Sequence, residues 1–156
     1  MIPPEMLRGP KRTSIAPRVL VIPPDRAGGR EEVAVDYKLE LVAVPVSDVD
    51  RAKSFYVEQA GFHPDHDHTV SEDMRFVQLT PPGSACSIAL GKGITDAPPG
   101  SVVGLQLVVS DIQQARDELA GRGVEVGEVQ EFPWGAFLFF ADPDGNRWAV
   151  QQITNR

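Results

Sequence analysis

The sequence predicts an α+β fold in which one chain carries two βαβββ modules, and three observations predict it. The segment Val46-Ser47-Asp48-Val49 recurs as Val109-Ser110-Asp111-Ile112, sixty-three residues later. Each copy follows an apolar, β-prone run and opens a stretch with helical periodicity. Each half then carries a turn between two β-prone runs, Thr80-Pro81-Pro82-Gly83 in the first and Asp142-Pro143-Asp144-Gly145 in the second.

The elements follow in order. In the first half, strands are expected at about 39–46, 62–69, 74–80 and 85–91. In the second they are expected near 102–109, 124–129, 135–141 and 146–153. The helices begin where Ser47 with Asp50, and Ser110 with Gln113, have the spacing of a capping box. Val49, Ala52 and Tyr56 match Ile112, Ala115 and Leu119, so each helix bears one apolar stripe that a sheet must cover. Both helices end at glycine, Gly61 and Gly121 to Gly123, where a left-handed cap is expected.

Residues 1–36 differ in kind. Pro3, Pro4, Pro10, Pro17, Pro23 and Pro24 with Gly28 and Gly29 give a composition unable to bury a core, so a flexible extension is expected. Val19 to Ile22 is its one β-prone stretch, able in principle to add to a sheet edge. The domain proper then runs over 37–156, with modules at about 39–91 and 102–153.

The chain has 42% hydrophobic and 24% charged residues, which is ordinary globular composition, and a net charge of -7. Nucleic acid and anionic membranes both select a basic face, so neither is expected as a partner. No apolar run approaches the roughly 20 residues of a membrane span. A single cysteine, Cys86, excludes an intramolecular disulfide, and the plain expectation is cytoplasmic.

The order and duplication of Val46-Ser47-Asp48-Val49-Asp50-Arg51-Ala52, Phe55-Tyr56, Gly61-Phe62 and Asp142-Pro143-Asp144-Gly145-Asn146 resemble the vicinal oxygen chelate superfamily. That superfamily includes glyoxalase I, extradiol dioxygenases and bleomycin-binding proteins, and the resemblance covers residues 39–153. It implies a cup-shaped mixed sheet, a homodimer, and in metal-using members a divalent ion held by four inward His or Glu side chains. Carried onto this chain, the four positions fall on Leu41, Gly104, Ala149 and either Ser87 or Ala89. Three have no lone pair to give and the fourth offers at best a hydroxyl, so no metal and no other cofactor is expected. The other metal-like cluster, His63-Pro64-Asp65-His66-Asp67-His68, is polar on both faces and contains proline, and reads as an exposed edge strand.

Strand alternation assigns the rest of the lining. If Cys86, Ile88, Leu90, Trp148 and Val150 pack on the helices, then Ser87, Ala89, Arg147, Ala149 and Gln151 face the cup. Gln78 and Thr80, then Leu138 and Phe140, are assigned to the same side, with Leu41, Ala43, Gly104 and Gln106 completing it, while Phe137 and Phe139 are assigned to the core. Candidate ligand-binding residues are therefore Gln78, Gln106 and Gln151 for oriented hydrogen bonds, Phe140 and Arg147 on the lining, and Trp134 as a stacking lid. No acid, base or nucleophile pairs convincingly: Cys86 reads as an inert thiol, and Glu128 and Glu131 as exposed carboxylates.

The expected function is metal-independent binding of a small molecule of cationic or aromatic type. It is similar in type to the bleomycin-binding branch, with drug or metabolite sequestration and antibiotic resistance as the expected role. The alternative is a glyoxalase-like lyase, isomerase or dioxygenase with an altered site.

Overall fold

Two helices interrupt eight short strands in a computed structural model that describes residues 35–154. The extension expected over 1–36, with Val19 to Ile22, lies outside the described residues except for its last two positions. From Leu39 onward the chain forms one unit. Its strands are β1 (Leu41–Ala43), β2 (His63–Ser71), β3 (Met74–Thr80), β4 (Ser87–Lys92), β5 (Leu105–Val108), β6 (Gln130–Phe132), β7 (Gly135–Ala141) and β8 (Arg147–Ile153). The helices are α1 (Val49–Ser54), which continues as a π-helical turn over Phe55–Gln59, and α2 (Ile112–Gly121).

The strands form two four-stranded sheets with the same order, β1-β4-β3-β2 and β5-β8-β7-β6. In each, the first strand runs parallel to the last and the remaining pairs are antiparallel. This is the βαβββ module performed twice: the helix carries the chain from the first strand to the far edge, and two hairpins bring it back.

Both helices start one residue later than the capping-box reading placed them. Asp48 and Asp111 are the N-caps, accepting from Arg51 N at 3.0 Å and Gln114 N at 3.1 Å. A carboxylate is the stronger acceptor for an orphan amide. It leaves the Ser47 hydroxyl free to donate to Asp144 Oδ1 at 2.5 Å. The helices end as expected at glycines in the left-handed region, Gly61 at φ 82° and Gly123 at φ 88°.

The strand expected at 124–129 is not there. Val124 is buried and Val126 and Val129 pack against the core, so the segment is apolar toward the core although its valines, two and then three apart, do not keep strand alternation. The outer ladder partner of β7, however, is 130–132, and the preceding segment is tied instead to α2 by Arg116 Nε donating to Gly127 O at 3.0 Å.

One apolar cluster joins the helix-facing sides of both sheets, including Tyr56, Phe62, Leu79 and Leu90 with Leu119, Leu138, Trp148 and Val150. Within it lies a polar lock between the modules. Tyr56 Oη donates to Asp142 Oδ2 at 2.8 Å and accepts from Trp148 Nε1 at 2.9 Å. Asn146 Nδ2 donates to Asp142 Oδ2 at 2.7 Å and to Pro45 O at 2.8 Å. Burial first, then the Asp142 carboxylate, push the Tyr56 phenol far up, so it stays a donor at every accessible pH. The Asp142-Pro143-Asp144-Gly145-Asn146 motif thus fastens the second module to the start and the end of the first helix.

Candidate functional site

Register pairs fix what each open sheet face presents, since residues directly opposite on neighbouring strands point the same way. On the first sheet, Ala43, Ala89, Gln78 and His66 form one row. Leu41 and Ser87 pair beside it, and His63 pairs with Thr80. Gln78 Nε2 donates to Ser87 Oγ at 3.2 Å, and the Thr80 hydroxyl is shared between Ser87 and the Asp65 carboxylate. The Thr80 bond, with His63 behind it, holds the Asp65 carboxyl below its usual range. His66 and His68 are exposed on the edge strand with rings stacked 5.7 Å apart.

The second sheet corrects one of the expected alternations. Phe140 pairs with Trp148 and Leu138 with Val150, so both belong to the helix-facing side. Phe140 is only 5% exposed, its ring parallel to Trp148 at 5.9 Å, and it lines no open face. Phe137 and Phe139, expected in the core, pair with Gln151 and Ala149 and stand on the open side, where Phe139 is 49% exposed. The physical reason is the turn: five residues separate β7 from β8, whereas six separate β3 from β4, so transferring parity from the first hairpin to the second inverts it. Cys86 also departs from expectation, being half-buried just before β4 rather than in the core cluster.

The open face of the second sheet consequently carries Phe137, Phe139, Ala149, Gln106, Gln151 and Arg147. Gln106 Nε2 donates to Gln151 Oε1, which fixes the two amides edge to edge with an N–H and a carbonyl still unused. Beyond them the aromatic rings form a continuous series. Phe139 lies parallel to Phe137 at 6.4 Å, Phe137 meets Phe132 edge-on at 5.7 Å, and Phe132 stacks on Trp134 at 5.4 Å. Trp134, in the β6–β7 turn, is 60% exposed. Of the residues singled out from sequence, the structure brings Gln106, Gln151 and Arg147 onto this face, with Trp134 at the end of its aromatic series. Gln78 lies on the other sheet, Phe140 is withdrawn into the core, and Phe132, Phe137 and Phe139 are the aromatic members the sequence reading missed.

The residues at the four metal-ligand positions do not fit a metal. Leu41 and Gly104 have no donor, Ala149 stands between Gln106 and Phe139, and Ala89 between Ala43 and Gln78. Ser87, the one hydroxyl, is already engaged by Gln78 and Thr80. Among the described residues no three His, Cys, Asp or Glu side chains are grouped to hold an ion. No helix among them is long and apolar enough to cross a membrane.

Comparison with known proteins places these features. Residues 38–150 match the model of the Glyoxalase/Bleomycin resistance protein/Dioxygenase superfamily. TnmS3, an antibiotic binding protein from Streptomyces sp. CB03234, is 37% identical with a TM-score of 0.70, covering 78% of this chain and 98% of that one. A superfamily member from Sphaerobacter thermophilus DSM 20745 is 32% identical with a TM-score of 0.66, covering 75% and 98%. The uncharacterized protein YetH of Bacillus subtilis (strain 168) is 27% identical over 113 residues, 71% of this chain and 94% of the relative. With the duplicated module, the strand order and these matches in agreement, the chain belongs to the Glyoxalase/Bleomycin resistance protein/Dioxygenase superfamily.

Proposed function

We propose that this protein binds a planar aromatic small molecule of the antibiotic type without a metal, on the open face of its second sheet. The observation that carries the reading is the series Trp134, Phe132, Phe137 and Phe139, exposed in part to solvent and bordered by the Gln106–Gln151 amide pair. Aromatic side chains at a surface cost free energy unless something covers them, and a flat ring system gains offset-stacking and area together. The paired amides supply one donor and one acceptor to orient it. The net charge of -7 favours a neutral or cationic ligand over an anionic one. A second copy of the chain completes the groove from the opposite side. The 37% identity to an antibiotic binding protein supports the ligand class.

A thermal-shift panel of aromatic and cationic glycopeptide antibiotics tests this. A ligand at about 100 times its Kd stabilises the native state by about 2.7 kcal/mol, a shift of several degrees. The expected result is stabilisation by at least one planar aromatic member, lost in Phe139→Ala and weakened in Gln151→Ala. Stabilisation by none of a broad panel contradicts the proposal.

A further inference from the structure

The two module junctions are related by the repeat, yet only one of them is filled. Phe55 and Tyr56 on the first helix correspond, sixty-three residues on, to Glu118 and Leu119 on the second, just as Ala52 corresponds to Ala115. At the first junction Phe55 and Tyr56 meet edge to face at 5.2 Å, Tyr56 closes on Trp148, and the Asp142–Asn146 loop bonds to Tyr56, Ser47 and Pro45. At the second, the corresponding loop between β3 and β4 makes hydrogen bonds only within itself and to its own strand, among the described residues. No ring stands at 118 or 119 to meet it.

The space the rings would occupy is open. A cavity of about 430 Å³ lies there between Pro81–Ser84 and α2, with Phe62, Leu119 and Val150 as its buried apolar floor and Glu118 and Arg122 at its rim. Arg122 is held in place, its Nε donating to Gln59 O at 2.7 Å and Nη2 to Ala60 O at 3.5 Å, so it braces one wall across the junction. Among the described residues no cation lies within salt-bridge distance of the exposed Glu118 carboxylate, whose bond is to the Gln114 amide. The volume falls within the roughly 300–1,000 Å³ of small-molecule sites, and an apolar floor with a few polar rim groups is their usual composition.

We propose that this cavity is a second binding site, for a one- or two-ring aromatic compound bearing a hydrogen-bond donor. The ring takes the place that Phe55 and Tyr56 fill at the other junction, and the donor meets the Glu118 carboxylate, which stands where Phe55 stands. The site lies on the helix-facing side of β5 and reaches the strand edge at Val108 and at Gln106, the one residue it shares with the open face, so it is separate from the aromatic series proposed above.

Ligand-observed NMR and calorimetry with indole and tryptamine, on the full chain and three variants, test it. Saturable one-to-one binding is expected in the parent, tighter for tryptamine because its ammonium meets Glu118. Leu119→Tyr fills the cavity and Glu118→Phe both closes its mouth and removes the acceptor, so each weakens binding at least tenfold, while Phe139→Ala leaves it unchanged. Should Leu119→Tyr fail to fold by circular dichroism, Glu118→Phe, at an exposed position, decides. Absence of saturable binding to the parent overturns the proposal. So does binding that Glu118→Phe leaves intact, or binding lost in Phe139→Ala, which would move the probe to the open face.

Discussion

Tyr56→Phe removes one oxygen and leaves the ring packing in place, so it isolates the polar lock between the modules. Tyr56 is fully buried, as are the groups its hydroxyl serves: the Trp148 indole N–H at 2.9 Å and the Asp142 carboxylate at 2.8 Å. Without the oxygen, the indole donor is buried with no acceptor, at a cost of about 1–3 kcal/mol. Asp142 keeps Asn146 Nδ2 and the amides of Asp144 and Asn146, so it loses one charge-assisted bond of four, about 1.5 kcal/mol. The aromatic contacts to Phe55, Phe62 and Trp148 at 5.2–5.8 Å are retained. The expected loss is about 3 kcal/mol, or about 10 °C in Tm for a domain of this size. Reversible urea unfolding of the parent and the variant measures it, with m unchanged. Combined with Trp148→Phe, the two losses should fall short of adding, by about 1 kcal/mol or more, because they share one bond. A loss below about 0.5 kcal/mol for Tyr56→Phe alone would refute the lock.

Further expectations concern the faces, the caps and acid. Phe140→Ala should cost about 3–5 kcal/mol and Phe139→Ala less than about 1 kcal/mol, measured by the same unfolding series, because only the first empties a packed core position. Equal losses would mean the β7 parity is wrong. Asp48→Ala and Asp111→Ala should each cost about 1 kcal/mol, with Ser47→Ala and Ser110→Ala not acting as cap losses, which thermal denaturation resolves. Two hydrogen-bonded cations, Arg75 then Lys53, hold the Asp67 carboxyl well below the usual carboxylate range. A depressed folded-state pKa means that its stabilisation is complete above the unfolded value near 4 and is lost as pH falls below it. The pair is partly solvated, so the term is discounted for screening to about 1 kcal/mol. Asp67→Asn should flatten the acid limb of stability below about pH 4 and leave its slope above pH 5 unchanged.

Much of the fold was legible because duplication supplies two readings of each element. The repeated capping-box serines Ser47 and Ser110 gave both helices to within one residue, Gly61 and the Gly121 to Gly123 stretch gave both exits, and β7 was expected over the residues where it forms. The face assignments of β4 and β8 held because Ile88, Leu90, Trp148 and Val150 alternate with small or polar neighbours. In β7 the run Ala136 to Ala141 is apolar at every position, so alternation is silent there and the parity rests on turn length, which differs by one residue between the halves. That one residue reversed Phe139 and Phe140, and with them the character of the candidate site. The segment 124–129 failed for another reason: its valines meet the core without a neighbouring strand, and a ladder cannot be read from one side of itself. The module lock was invisible in outline but not in chemistry, since a motif with two carboxylates and an amide stands opposite a repeat copy of Thr80-Pro81-Pro82-Gly83 that lacks them.

We propose that the open face of the second sheet holds the ligand. Backbone amide chemical-shift mapping of the labelled protein, titrated with an aromatic antibiotic that stabilises it, locates the bound molecule residue by residue. Saturable shifts are expected at Gln106, Phe132, Trp134, Phe137, Phe139 and Gln151, with little change at Gln78 or His66. Shifts that centre on the first sheet, or that leave Phe137, Phe139 and Gln151 unmoved at saturation, would contradict the proposal.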